Sequence, residues 1–77
     1  MKITLRNGGD QPLNVMFEPA AMEIDIPPRD YIVVEWPAHD DEEHLGSIDY
    51  TAEGIVLCPP WAEPLQAWDS QGNELDV

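Results

Sequence analysis

The chain has 77 residues, of which 16 are acidic and three are basic, for a formal net charge of −13. A surface this negative repels phosphate groups, which argues against direct binding of nucleic acid or of an anionic membrane. The length allows one domain, residues 1–77. The single cysteine, Cys58, excludes an intrachain disulfide and a cysteine-rich zinc site. Attraction to a basic partner is favoured, although excess acid can also serve solubility alone.

Alternating apolar and polar residues predict short strands from the beginning of the chain. Residues 2–6 and 13–17 alternate in this way, and the turn-forming loop between them predicts that they form a hairpin. A third strand is predicted at residues 22–26. After a Pro-Pro turn, residues 31–36 are the most β-prone run and are apolar on both faces in the middle, as is typical of a central strand.

The second half continues the pattern after a polar interruption at residues 38–46, which has room for at most one helical turn. Further strands are predicted at 47–51 and 55–58, separated by a tight turn at 52–54. A rigid proline loop follows, and the chain closes with a hairpin around residues 69–73. These elements predict an all-β fold: a small single-domain β-sandwich or barrel of about seven or eight short antiparallel strands.

The sequence also predicts where the protein resides. The residues after Met1 contain no apolar stretch of the kind found in signal peptides, and no run of about 18 apolar residues occurs. We therefore expect a cytoplasmic protein.

Several short segments resemble small uncharacterised bacterial β-sandwich proteins of about this size. The segments are 3–7 (ITLRN), 15–19 (VMFEP), 26–28 (IPP), 32–34 (IVV) and the closing 68–75 (WDSQGNEL). The resemblance implies a small β-sandwich. It implies no activity and assigns no functional residue.

The segment from His39 to His44 is the best candidate for a metal site, because it holds two imidazoles and four carboxylates. Its spacing does not fit one, since histidines at i and i+5 do not share a helix face and the pattern of a calcium loop is missing. The prediction is a hydrated acidic loop without a structural metal.

Catalytic arrangements are poorly supported. Cys58 ends the apolar run 55–58, which predicts a buried, inert thiol. Carboxylate pairs of the glycosidase type are conceivable among so many acids, but a domain of this length has little room for a pocket of about 300 Å³. No glycine-rich phosphate loop precedes a helix. We therefore expect neither enzymatic activity nor a cofactor.

The aromatic residues suggest a binding surface. Trp36 and Trp61 border proline-containing loops, and a rigid loop presents such a ring to a partner with little loss of entropy. Trp61 is predicted to be the exposed ring and Trp68 the one in the core.

These observations predict a non-catalytic acidic binding protein, an inhibitor, immunity or anti-defence type of module, that engages a basic protein surface. The expected partner-binding residues are Trp61, Glu63, Asp40, Asp41, Glu42 and Glu43. Two alternatives stay open. One is a metal-binding module that uses the His39–His44 loop, and the other is a structural subunit of a homo-oligomer, since so short a chain buries a small core.

Overall fold

The computed structural model describes residues 1–37, 46–59 and 65–77. These residues form eight strands and contain no helix, which confirms the all-β prediction. The strands are β1 (Lys2–Arg6), β2 (Leu13–Phe17), β3 (Met22–Ile26), β4 (Tyr31–Glu35), β5 (Ser47–Tyr50), β6 (Gly54–Cys58), β7 (Gln66–Asp69) and β8 (Glu74–Leu75).

Two four-stranded sheets form the fold, and we name them A and B. Sheet A has the order β1-β4-β7-β8 and is antiparallel throughout. Its strand β4 lies between two neighbours, as the long apolar run predicted. The predicted closing hairpin is also present, as β7 and β8.

Sheet B has the order β3-β2-β6-β5, and its two central strands run parallel. The expectation of antiparallel strands is therefore wrong for this one pair. Asn14 of β2 lies opposite Gly54 of β6, whose φ is 149°. A Cβ at Gly54 would overlap the carbonyl oxygen of Asn14, so the close approach of the two strands requires glycine.

The predicted hairpin of the first two strands is wrong. β1 pairs with β4 in sheet A, whereas β2 pairs with β3 and β6 in sheet B. The loop between β1 and β2 therefore crosses from one sheet to the other. A crossing loop needs its own anchor, because no ladder of hydrogen bonds holds its two ends together.

Asn7 is that anchor. Its side chain is only 6% exposed, and its Nδ2 donates to the carbonyl oxygens of Gln11 (2.7 Å), Ile26 (3.0 Å) and Pro27 (3.2 Å). Its Oδ1 accepts from the N–H of Gly9 at 3.0 Å. Its own N–H donates to the carbonyl oxygen of Asp30 at 2.8 Å. Asn7 thus ties the end of β1 in sheet A to the end of β3 in sheet B.

The core lies between the two sheets and takes side chains from both. The buried apolar residues are Leu5, Val15, Phe17, Ile26, Ile32, Val34, Trp36, Leu57 and Ala67. Trp36 is 6% exposed, whereas Trp68 is half-buried on the opposite side of sheet A. The prediction that Trp68 supplies the core ring is therefore wrong. Register explains this: Trp68 adjoins Ala67, which occupies the inward position of β7.

Two turns carry carboxylates that stabilise them. The N–H of Asn73 above all, with those of Gln71 and Gly72, holds the pKa of Asp69 below its ordinary value. The hydroxyl of Ser70, followed by the N–H of Tyr31, lowers the pKa of Asp30. Both carboxylates accept hydrogen bonds in their charged form, which is a structural role for two of the acids.

Candidate binding surface

The predicted partner-binding residues lie outside the residues that the structure describes. Asp40 to Glu43 belong to the segment 38–45, together with His39 and His44, and Trp61 and Glu63 belong to the segment 60–64. The assignments made to these residues stay predictions.

The described residues that flank these two segments meet at one end of the sandwich. β4 ends opposite the first residue of β7, and β5 begins opposite the last residue of β6. A groove lined by Met1, Trp36, Gly46 and Ser47, among others, joins the two places. The described residues on either side of both segments therefore lie at the same end of the fold.

The outer face of sheet B combines acidic side chains with an apolar centre. Met16 of β2 and Val56 of β6 lie opposite each other in register, half-buried. Glu23 lies beyond Met16 and Asp49 beyond Val56, so the row runs from acid through two apolar side chains to acid. Asp25 extends the acidic margin along β3 and accepts a hydrogen bond from Nδ2 of Asn14 at 3.2 Å. We name these five residues — Met16, Glu23, Asp25, Asp49 and Val56 — the acidic face.

The basic side chains lie elsewhere. Lys2 and Arg6 are on the outer face of sheet A, where the Arg6 guanidinium lies 4.9 Å from the centre of the Tyr31 ring. Arg29 is in the turn between β3 and β4. Since these are all the lysines and arginines in the sequence, the acidic face contains none.

Next to the acidic face, the edge of the sandwich at β5 exposes apolar residues. Ile48 is 51% exposed and Tyr50 is 88% exposed. Ile48 also lines the groove between the sheets, with Met1, Ile3, Trp36 and Leu57. The groove has a volume of about 300 Å³. The expectation that so short a chain leaves little room for a pocket of this size is therefore wrong, although this one is an open groove.

Cys58 is half-buried, so the prediction of a buried thiol is wrong. The apolar run that ends at Cys58 did predict a strand within the sheet, but the alternation places Leu57 in the core and Cys58 on the outer side. The absence of a catalytic role stays a prediction. Within residues 1–37, 46–59 and 65–77, no three histidine, cysteine or acidic side chains are grouped as metal ligands would be.

Sequence reasoning missed Ile48, Tyr50 and the residues of the acidic face. A signal for them was available, because residues 47–50 and 22–26 alternate apolar with polar side chains and place Asp49, Glu23 and Asp25 on the polar side. What could not be read was that β3 and β5 both belong to one sheet, with their acids on the same outer face.

No protein family, curated protein or solved structure matches this chain. In the described part of the chain, no helix has the length and apolar character needed to cross a membrane.

Proposed function

We propose that this protein is a non-catalytic binding protein that engages a basic surface of another protein. The observation that supports this most directly is the acidic face, in which Met16 and Val56 form an apolar centre between exposed carboxylates. Protein interfaces have this organisation, with apolar side chains in the middle and polar ones around them.

The charge of the whole chain supports the same function. A net charge of −13 attracts a basic partner over roughly one Debye length, ~8 Å at physiological salt, and this attraction mainly raises the rate of association. Inhibitors, immunity proteins and anti-defence proteins act by this physics, and we place the chain in that class. Such a protein acts by covering its partner's surface and needs no catalytic group.

The predicted residues of the two undescribed segments fit the proposal. Asp40 to Glu43 would steer the partner, and Trp61, with Glu63 beside it, would anchor it. Neutralising the four acids to Asn and Gln is expected to slow association and flatten its salt dependence. Trp61→Ala is expected to speed dissociation and to weaken binding by about 2 kcal/mol or more.

Affinity capture tests the acidic face. The immobilised protein is expected to retain a basic protein from a lysate of its source cells at low salt and to release it at about 1 M salt, where the Debye length is ~3 Å. A triple variant removes the acids of the face: Glu23→Gln, Asp25→Asn and Asp49→Asn. The matched control removes the same number and type of exposed acids elsewhere: Glu74→Gln, Asp10→Asn and Asp76→Asn.

The face variant should lose the captured protein and the control should keep it. Equal loss in both variants would mean that only net charge matters. Capture that is indifferent to salt would contradict the proposed function as a whole.

A further inference from the structure

Strand β5 is the edge of sheet B, and no strand lies on its outer side among residues 1–37, 46–59 and 65–77. Its short length and the charge of Asp49 give this edge some protection, but other common protective features are missing from it. Its sequence, Ser-Ile-Asp-Tyr, contains no proline and no lysine, and its pairing with β6 is regular from Ser47 to Tyr50.

The hydrogen-bond pattern shows which backbone groups of β5 point outward. Thr51 and Gly54 exchange both hydrogen bonds, from Thr51 N–H to Gly54 at 2.7 Å and from Gly54 N–H to Thr51 at 3.3 Å. In an antiparallel ladder such pairs alternate with non-bonded ones. The N–H and C=O groups of Asp49 therefore point toward β6, whereas those of Ile48 and Tyr50 point away from it.

The side chains of the same two residues face the interior side of the sheet. Ile48 lies opposite buried Leu57, and Tyr50 lies opposite Ile55, which packs against the core. Ile48 borders the apolar groove between β5 and β1, yet it and Tyr50 stay 51% and 88% exposed. An added strand would therefore find backbone groups that no strand of the described residues pairs, with an apolar groove beside Ile48.

We propose that β5 binds an extended segment of a basic protein as an additional antiparallel strand of sheet B. Apolar residues of this segment lie opposite Ile48 and Tyr50, and the one opposite Ile48 borders the groove. A lysine or arginine between them lies opposite Asp49, on the acidic face. The proposal rests on the proposed function and specifies the partner: a strand in which apolar and basic residues alternate.

Charge distinguishes this occupant from a second copy of the chain. Antiparallel pairing of two β5 strands with Ile48 opposite Tyr50 would place two Asp49 carboxylates directly opposite each other, which is destabilising. It would also bring together two chains of charge −13. A basic segment meets neither obstacle.

A synthetic peptide of about eight residues that alternates valine and lysine is the probe for this site. Its valine amides would bond to Ile48 and Tyr50, while its lysine amides would point away from the sheet. N-methylation of the valine amides is expected to weaken binding about tenfold or more, since each position loses a hydrogen bond and gains a steric clash. N-methylation of the lysine amides, the matched control, should change affinity by less than about twofold.

Substitutions in β5 test whether the peptide pairs with the backbone of Ile48. Ile48→Pro removes an N–H that makes no bond to β6, so the fold should persist while peptide binding falls about tenfold or more. Ile48→Ala keeps the N–H and should bind more tightly than Ile48→Pro. If Ile48→Pro does not fold, the methylated peptides on the unchanged protein decide the question.

The outcomes separate the two proposals. Equal effects of valine and lysine methylation would overturn strand addition while leaving the proposed function intact. Binding that survives high salt and replacement of every lysine by glutamate would contradict the proposed function, even if the methylation pattern still showed strand pairing.

Discussion

Asn7 offers the sharpest test of how the two sheets are held together. In Asn7→Asp, a carboxylate oxygen replaces the amide nitrogen that donates to Gln11, Ile26 and Pro27 at 2.7–3.2 Å. The shape of the side chain is kept, but an oxygen then faces carbonyl oxygens in a site that is only 6% exposed. The substitution therefore changes the hydrogen bonding and charge of the anchor with little effect on packing.

The expected loss follows from the donors removed. An amide group has two N–H donors, and leaving a buried partner without its donor costs about 1–3 kcal/mol, so the loss of both costs about 2–6 kcal/mol. A domain of 77 residues has a free energy of unfolding of about 4–12 kcal/mol, so the loss is a large share of it. Burial and the carbonyl oxygens raise the pKa of the introduced carboxyl in the folded state. The loss should therefore be largest above that raised pKa and should shrink as the pH falls through it.

Urea unfolding followed by tryptophan fluorescence measures this loss, with the buried Trp36 as a reporter. Gln11→Glu is the matched control, since it introduces the same charge at an exposed position in the same loop. It should change the free energy of unfolding by less than about 0.5 kcal/mol. Equal losses in the two variants, or a loss in Asn7→Asp that grows at low pH, would refute the assigned role of Asn7.

Three further predictions follow from the fold. Gly54→Ala should lower the free energy of unfolding by about 3 kcal/mol or more, because the added Cβ would overlap the backbone of Asn14. Gly72→Ala places its Cβ in open space and should cost about 1 kcal/mol, because alanine is disfavoured at a φ of 85°. Similar losses for the two variants in thermal melts would contradict this. Because the pKa of Asp69 is lowered in the folded state, its carboxylate stabilises the fold above about pH 4, and that stabilisation is lost as the pH falls through the lowered pKa. Acid titration should therefore show a smaller fall in stability for Asp69→Asn than for the wild type. Trp36→Ala should lower the free energy of unfolding by about 3–5 kcal/mol and Trp68→Ala by less than about 2 kcal/mol. The reverse order in urea unfolding would contradict the assignment of Trp36 to the core.

Local features of this fold were predictable because they depend on neighbouring residues alone. Alternation over residues 13–17 predicted a strand with one apolar side, and Val15 and Phe17 of that side lie in the core. The turn chemistry of residues 69–73 predicted the last hairpin, and the apolar run at 31–36 predicted the central strand β4.

Strand partners were not predictable, because a strand with one apolar side can bury that side in either sheet, next to any neighbouring strand. The hairpin of β1 and β2 was the simplest pairing, and the structure separates them since Asn7 directs the loop to sheet B. The parallel pairing of β2 with β6 depends on the absence of a side chain at Gly54, which the sequence shows only as a turn residue.

The acidic face could not be located from the sequence. Net charge indicated an acidic interface, but the row from Glu23 to Asp49 exists only once β3, β2, β6 and β5 are side by side. Exposure of Ile48 likewise follows from the position of β5 at the edge, which no local pattern encodes.

The parallel pairing at the centre of sheet B also bears on how quickly the chain folds. β2 and β6 join residues as distant in sequence as Asn14 and Gly54, and β4 and β7 join Ile32 to Asp69. Closing such long loops lowers the entropy of the chain before any stabilising contact forms. We therefore expect a folding time of milliseconds to seconds, which is slow for a small domain. The hairpins β2–β3 and β5–β6 can form early, but sheet B is incomplete until β2 meets β6. During synthesis the protein is therefore most vulnerable to misassociation in the interval before that encounter.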